Sequence, residues 1–134
     1  MREDLHITLI APDRKLYEGD AVSVTLPGVK ANFSVLRGHA PLLSLLDPGV
    51  VEVSTNEEKN TYVIDSGFAE VKENNVTILV DGAVLPKEID VEKEKTELES
   101  ALKIVTTSEH ELKNKEKKIQ LHRVKISAAS AKSE

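Results

Sequence analysis

Three groups of residues in this chain have side chains and spacings that could carry chemistry. In Val63-Ile64-Asp65-Ser66-Gly67, two apolar residues followed by Asp-Ser-Gly give the active-site loop pattern of aspartic proteases. A chain of 134 residues would have to work as a homodimer, each Asp65 supplying one carboxylate of a proton-sharing dyad. The same residues also describe a strand ending in a tight turn, with Asp65 or Ser66 bonding local backbone and Gly67 permitting the bend. The turn is the favoured reading, because a charged helical segment has no role in such a protease and no mobile flap is evident. The second group is the four histidines, His6, His39, His110 and His122, which are too scattered in sequence to suggest a metal-ligand set. No cysteine, Gly-rich phosphate loop or Gly-x-Ser-x-Gly elbow is present, which removes thiol chemistry, thiolate zinc sites and the common nucleotide and serine-hydrolase devices. The expectation is no catalytic residue, no metal and no cofactor. The third group is basic. Between Glu109 and Lys125, Lys113, Lys115, Lys117, Lys118, Arg123 and Lys125 outnumber Glu109, Glu111 and Glu116, giving either a partner-binding face or a solvated one.

These residues must be positioned by two kinds of element. All six Gly, all five Pro and all four aromatic residues lie at or before Pro86. Residues 1–90 carry eight basic and fifteen acidic side chains, residues 91–134 ten and eight, so the sign of the charge changes with the building material. Before the boundary the apolar period is two. Leu5, Ile7 and Leu9 alternate with polar residues, as do Val22, Val24 and Leu26, and Val51 and Val53, the pattern of half-buried strands. Turn residues punctuate them at Pro12-Asp13, Glu18-Gly19-Asp20, Pro27-Gly28, Asp47-Pro48-Gly49, Asn56 to Asn60 and Glu73-Asn74-Asn75, which implies a sandwich or barrel with a core of Val, Leu and Ile. After Pro86 the period becomes helical. Val91, Leu98, Leu102 and Val105 form one stripe with Ala101 beside it, behind a candidate N-cap at Asp90. Ser108 to Glu111 has capping-box form and starts a second helix, with Leu112, Ile119 and Ile126 at heptad spacing. The predicted architecture is mainly β plus α: an N-terminal antiparallel β-sandwich over residues 1–87, then an antiparallel helical hairpin over 88–134 whose tail from Ser127 frays. The stripes are narrow, so the hairpin is expected to pack on the sandwich only weakly.

A net charge of -5 argues against nonspecific nucleic-acid binding. The longest apolar runs, such as Ile78-Leu79-Val80, fall far short of the ~20 residues that span a bilayer. Met1-Arg2-Glu3-Asp4 has neither the apolar core of a signal peptide nor the Arg-rich character of a transit peptide, and reads as a cytoplasmic N-terminus.

The most specific segment is Gly38-His39-Ala40-Pro41-Leu42-Leu43, followed by Leu45-Leu46-Asp47-Pro48-Gly49-Val50-Val51. With Val24-Thr25-Leu26-Pro27-Gly28, Asp65-Ser66-Gly67-Phe68-Ala69-Glu70-Val71 and Asn75-Val76-Thr77-Ile78-Leu79-Val80, it resembles the epsilon subunit family of bacterial and chloroplast F-type ATP synthases, the counterpart of mitochondrial delta. The resemblance covers the sandwich and, in outline, the hairpin. It implies a noncatalytic rotor subunit at the cytoplasmic face of the cell inner membrane, peripheral through its complex. Its sandwich would clamp the gamma subunit and rest on the c-ring, and its hairpin would reach the alpha/beta catalytic head and inhibit ATP hydrolysis. Lys30, Asn32 and His39 are then the expected c-ring contacts, and Lys113, Lys117, Lys118 and Arg123 the expected contacts to an acidic loop of the head. Some members bind ATP at the first helix. The matching stretch is degenerate, because Ile89 and Asp90 are kept while Lys93 replaces an Arg and Glu94 an Ala, and a carboxylate there opposes a polyphosphate. The other two readings are the Asp65 protease and a free-standing binding sandwich.

Overall fold

The computed structural model describes residues 4–132. Ten strands run in chain order: β1 Leu5–Ala11, β2 Arg14–Ala21, β3 Ser23–Pro27, β4 Asn32–Leu36, β5 Leu42–Leu46, β6 Gly49–Ser54, β7 Lys59–Ile64, β8 Gly67–Lys72, β9 Asn75–Val80 and β10 Ala83–Val84. A 3-10 turn over Pro86–Glu88 leads to α1, Val91–Leu102, and α2, Glu109–Lys132. One sheet has the order β2-β1-β9-β8-β5, the other β10-β7-β6-β3-β4. They pack face to face as a sandwich. Pairing is antiparallel except between β1 and β9, where the first strand slots between its own hairpin partner and the last long strand.

The period-two pattern is what fills the interior. Leu5, Ile7 and Leu9 from one sheet meet Val24, Leu26, Val51, Val53 and Ile64 from the other, all fully enclosed. Tyr62 is the one aromatic residue among the buried core side chains, so the core is aliphatic as expected.

One expected turn is absent. Glu18-Gly19-Asp20 lies inside β2, because its ladder with β1 runs on through Ile7↔Gly19, His6↔Asp20 and Leu5↔Ala21. The polar groups of this stretch are used across the strands by His6 and within β2 by Tyr17. His6 lies 3.4 Å from the Asp20 carboxylate and 3.6 Å from that of Glu18, and the Tyr17 hydroxyl donates to the Asp20 carbonyl at 2.9 Å. Glu73-Asn74 does turn, with both residues at positive φ, as a two-residue hairpin demands.

The segment joining sandwich to helices is tied back to β2. Arg14 donates through Nη1 and Nη2 to the two Glu88 oxygens at 3.0 and 2.6 Å and through Nη2 to the Ala83 carbonyl at 3.2 Å. The Leu85 amide donates to Glu88 at 2.8 Å. The Arg14 bond first, then the Leu85 amide, bring the Glu88 carboxyl from its ordinary 4.5 down to about 2. A depressed carboxyl contributes stability above its unfolded value and loses it as pH falls through the folded one. The tie is therefore expected to weaken between about pH 4.5 and 2. NMR titration of the Leu85 amide should show that transition, and Glu88→Gln should abolish it.

Both helix starts are as expected. The Asp90 carboxylate accepts from the Lys93 amide at 3.2 Å, and Ser108 Oγ accepts from the Glu111 amide at 3.1 Å. The stripe of α1 differs from expectation. The helix ends at Leu102, which leaves Val105 outside it and Leu102 exposed, while Glu94 and Ala101 are the buried residues. The buried Glu94 faces His122 on α2. The expected fraying from Ser127 is not seen up to Lys132, which α2 includes, because the Ala-rich composition favours helix. Ser133 and Glu134, like Met1, Arg2 and Glu3, lie outside the described residues.

Candidate functional site

Two surfaces stand out, on opposite sides of the molecule. The outer face of the β2-β1-β9-β8-β5 sheet exposes an apolar row. The registers Leu45↔Phe68, Phe68↔Leu79 and Leu79↔Ile10 place these residues side by side across four strands. Leu43 and Leu45 are each 69% exposed on edge strand β5, and Phe68 and Leu79 add 40% and 36%. The Val29 amide donates to the Leu45 carbonyl at 3.1 Å, which joins the turn bearing Val29 and Lys30, just before Asn32 starts β4, to the end of the row. A soluble monomer rarely leaves so many adjacent large apolar side chains in water, so this face has the character of a protein-binding surface.

The helices cover the other sheet. Helix α2 lies along β6, β7 and the 3-10 turn, and Gln120 Nε2 donates to the Pro48 carbonyl at 2.8 Å. A groove between α2 and the sandwich is lined by Lys30, Asn32, Pro48, Gln120, Arg123 and Val124, among others. Lys113, Lys117 and Lys118 point to solvent. Lys115 instead donates to the Ile104 carbonyl at 2.8 Å and closes the connection between the helices.

The structure separates one predicted set. Lys30 sits in the β3–β4 turn and Asn32 at the first position of β4, whereas His39 follows β4. A strand of five residues spans about 17 Å, so His39 lies at the far end of the sandwich. There Gly38 donates to the Asn74 side chain at 2.8 Å and His39 Nδ1 lies 2.7 Å from the Ala40 carbonyl. Because β4 divides them, a single end cannot present all three. Asp65 is built into a turn. Its amide donates to the Gly82 carbonyl and its carboxylate accepts from the Ser66 amide, each at 2.8 Å, so the protease reading has no support in its geometry.

Sequence spacing missed one constellation. Glu94, Glu97 and His122 come together between the helices, their nearest ligand atoms within 4.8 Å of one another. His122 Nδ1 lies 2.7 Å from Glu94 Oε1 and 3.8 Å from Glu97 Oε2, and Lys125 Nζ lies 3.9 Å from Glu94 Oε2. The scattered histidines gave no hint, since 28 residues and a helix reversal separate the pair. The signal available was a carboxylate at position 94, in line with Val91, Leu98 and Ala101. Lys125 already supplies a fixed positive charge to this set. Ile89 is half-buried before α1, Asp90 serves as its N-cap, and Lys93 is exposed.

A sandwich with one exposed apolar face and a helical hairpin on the other, its Asp-Ser-Gly forming a turn, has the character of a partner-binding protein. A family model described as ATP synthase, Delta/Epsilon chain, beta-sandwich domain, matches residues 4–86. The chain is 37% identical over 132 residues to the chloroplastic ATP synthase epsilon chain of Pyropia yezoensis, covering 95% of this chain and 96% of that one. It is 38% identical over 100 residues to the ATP synthase epsilon chain of Leptospira borgpetersenii, covering 75% and 79%. Among solved structures, a chain of the Euglena gracilis mitochondrial ATP synthase OSCP/F1/c-ring assembly superposes with a TM-score of 0.82 at 28% identity, over 96% of this chain and 82% of that one. This chain belongs to the delta/epsilon chain family of ATP synthases.

Proposed function

We propose that this protein is a noncatalytic central-stalk subunit of an F-type ATP synthase, joining the gamma subunit and c-ring to the catalytic head. The observation that carries the reading is the exposed row Leu43, Leu45, Phe68 and Leu79 on the face the helices leave free. A rotor subunit must hold one partner firmly with its rigid part while its mobile part stays available, and opposite faces meet that need. The relatives support it: those in Pyropia and Leptospira are named epsilon chains, and the Euglena assembly contains F1 and the c-ring. The gamma subunit is the partner assigned to the apolar face, and the adjoining turn with Lys30 and Asn32 is assigned to the c-ring. His39, at the other end, belongs with gamma rather than with that turn. No helix among the described residues is long and apolar enough to cross a membrane. Attachment is through the complex, at the cytoplasmic face of the membrane.

The hairpin is assigned a braking role on ATP hydrolysis, through Lys113, Lys117, Lys118 and Arg123 against an acidic loop of the head. Each exposed pair contributes only ~0.2–1 kcal/mol, yet several together shift a closely balanced equilibrium severalfold. The test uses the assembled enzyme with Lys113→Glu, Lys117→Glu and Lys118→Glu combined. Subunit content should be unchanged and ATP hydrolysis should rise severalfold, with high salt reproducing the effect. If deleting residues 88–134 activates and charge reversal does not, the brake is steric or apolar. If this chain fails to copurify with gamma at low salt, the rotor assignment itself is wrong.

A further inference from the structure

We infer that the two helices are closed on each other by a buried polar latch, Glu94 with His122, which makes the joint specific in register and readily reversible. The helix α1 packs on α2 and only sparsely elsewhere, whereas α2 carries the contacts to β6, β7 and the 3-10 turn. Whether α1 stays closed is therefore decided at the α1–α2 joint. That joint has no wide apolar seam. Of the α1 side chains only Glu94 and Ala101 are buried, and Leu102 at its end is 47% exposed. At the centre of the joint the Glu94 and His122 side chains are 9% and 12% exposed and 2.7 Å apart, with Glu97 and Lys125 flanking them.

Groups of this kind behave unlike a hydrophobic seam in two ways. Breaking a buried pair by removing one partner is costly, because the Glu94 carboxylate then loses its 2.7 Å bond and keeps only Lys125 at 3.9 Å, so any slipped register of α1 is disfavoured. Opening the whole joint exposes both groups to water at once, and their hydration returns, so the net resistance to opening is small. Leucines of similar volume would resist separation through their full apolar area. The joint is thus built to close in one way and to open without a large barrier. The inference gives the proposed braking hairpin its means of release, but the joint can be read in the isolated chain. A failure here would leave the rotor assignment standing.

Cysteine is absent from the chain, so spin labels can be placed uniquely at the exposed positions Lys95 on α1 and Lys118 on α2. Pulsed EPR on the full-length protein then reports the closed and open populations. His122→Ala should raise the open fraction about tenfold or more. His122→Asn, whose side-chain amide stands near the place of Nδ1, should restore it towards wild type, which a role in packing alone would not do. Glu94→Leu with His122→Leu should lower the open fraction below wild type. Circular dichroism confirms that each variant keeps its helices. Identical distance distributions for wild type and His122→Ala would overturn the latch, and so would a double-Leu variant that opens as far as His122→Ala. A closed population in wild type that collapses on adding EDTA would show a metal bridge instead, and would equally overturn it.

Discussion

Replacing Leu45 and Phe68 together with Glu is expected to weaken binding to the gamma subunit by at least a hundredfold while leaving the fold intact. The two residues are direct cross-strand neighbours and 69% and 40% exposed in the free chain, so the change removes nothing from the interior. In a complex each large apolar side chain that becomes fully covered contributes about 1.5–3 kcal/mol. Side chains that act as the hot spots of an interface cost about 2 kcal/mol or more on truncation, and every 1.4 kcal/mol is tenfold in affinity. Glu adds a further penalty, because a carboxylate would be buried against an apolar partner without a counter-charge. Affinity by titration calorimetry, with thermal melting as the control for folding, decides it. The control position is Lys59, exposed at the start of β7 in the opposite sheet, where Lys59→Glu should change affinity less than tenfold. If the double variant binds as wild type does, the partner sits elsewhere and the apolar row needs another occupant.

What could be read from the sequence follows from how local each signal is. The sandwich was legible because alternation and turn chemistry are set by neighbours in the chain: Leu5, Ile7 and Leu9 announce their strand without reference to anything distant. The apolar face was legible only as a requirement, since Leu43 and Leu45 look like core until the register puts Leu46 inside and them outside. Glu18-Gly19-Asp20 misled because turn-forming residues also serve in strands when a cross-strand partner uses their side chains, as His6 does with Glu18 and Asp20. The family resemblance groups Lys30, Asn32 and His39 in one contact, though β4 runs from Asn32 towards His39 and sends them to opposite ends. Least legible was the Glu94–His122 contact. It depends on the rotation of one helix against another, and the apolar stripe chosen for α1, through Leu102 and Val105, fixed that rotation wrongly.

Gly67→Ala is expected to destabilise the sandwich far more than Asp65→Ala, which separates the turn reading of Asp-Ser-Gly from the catalytic one. A β-carbon at position 67 would lie 2.2 Å from the Leu79 carbonyl oxygen and 2.7 Å from the Val80 Cα. Both are backbone atoms of β9, which is paired with β8 along its whole length and held on its other side by β1. Neither strand can withdraw without breaking a ladder in the middle of the sheet. Overpacking of this sort costs about 1–3 kcal/mol, occasionally more, and in a domain of this size each kcal/mol lowers Tm by roughly 4–8 °C. Asp65→Ala loses one side-chain bond, the 2.8 Å contact from the Ser66 amide, in a half-buried position that water can reach. Its expected cost is ~0.5–1.5 kcal/mol, because the main-chain bonds from Asp65 to Gly82 and from Asp81 to Ser66 remain. Thermal melting of the two variants beside wild type measures the order directly. A neutral Gly67→Ala would mean that β8 and β9 are not held as tightly as their ladder requires. An Asp65→Ala variant as damaged as Gly67→Ala would mean that the carboxylate, rather than the close approach of two strands, fixes this corner of the fold.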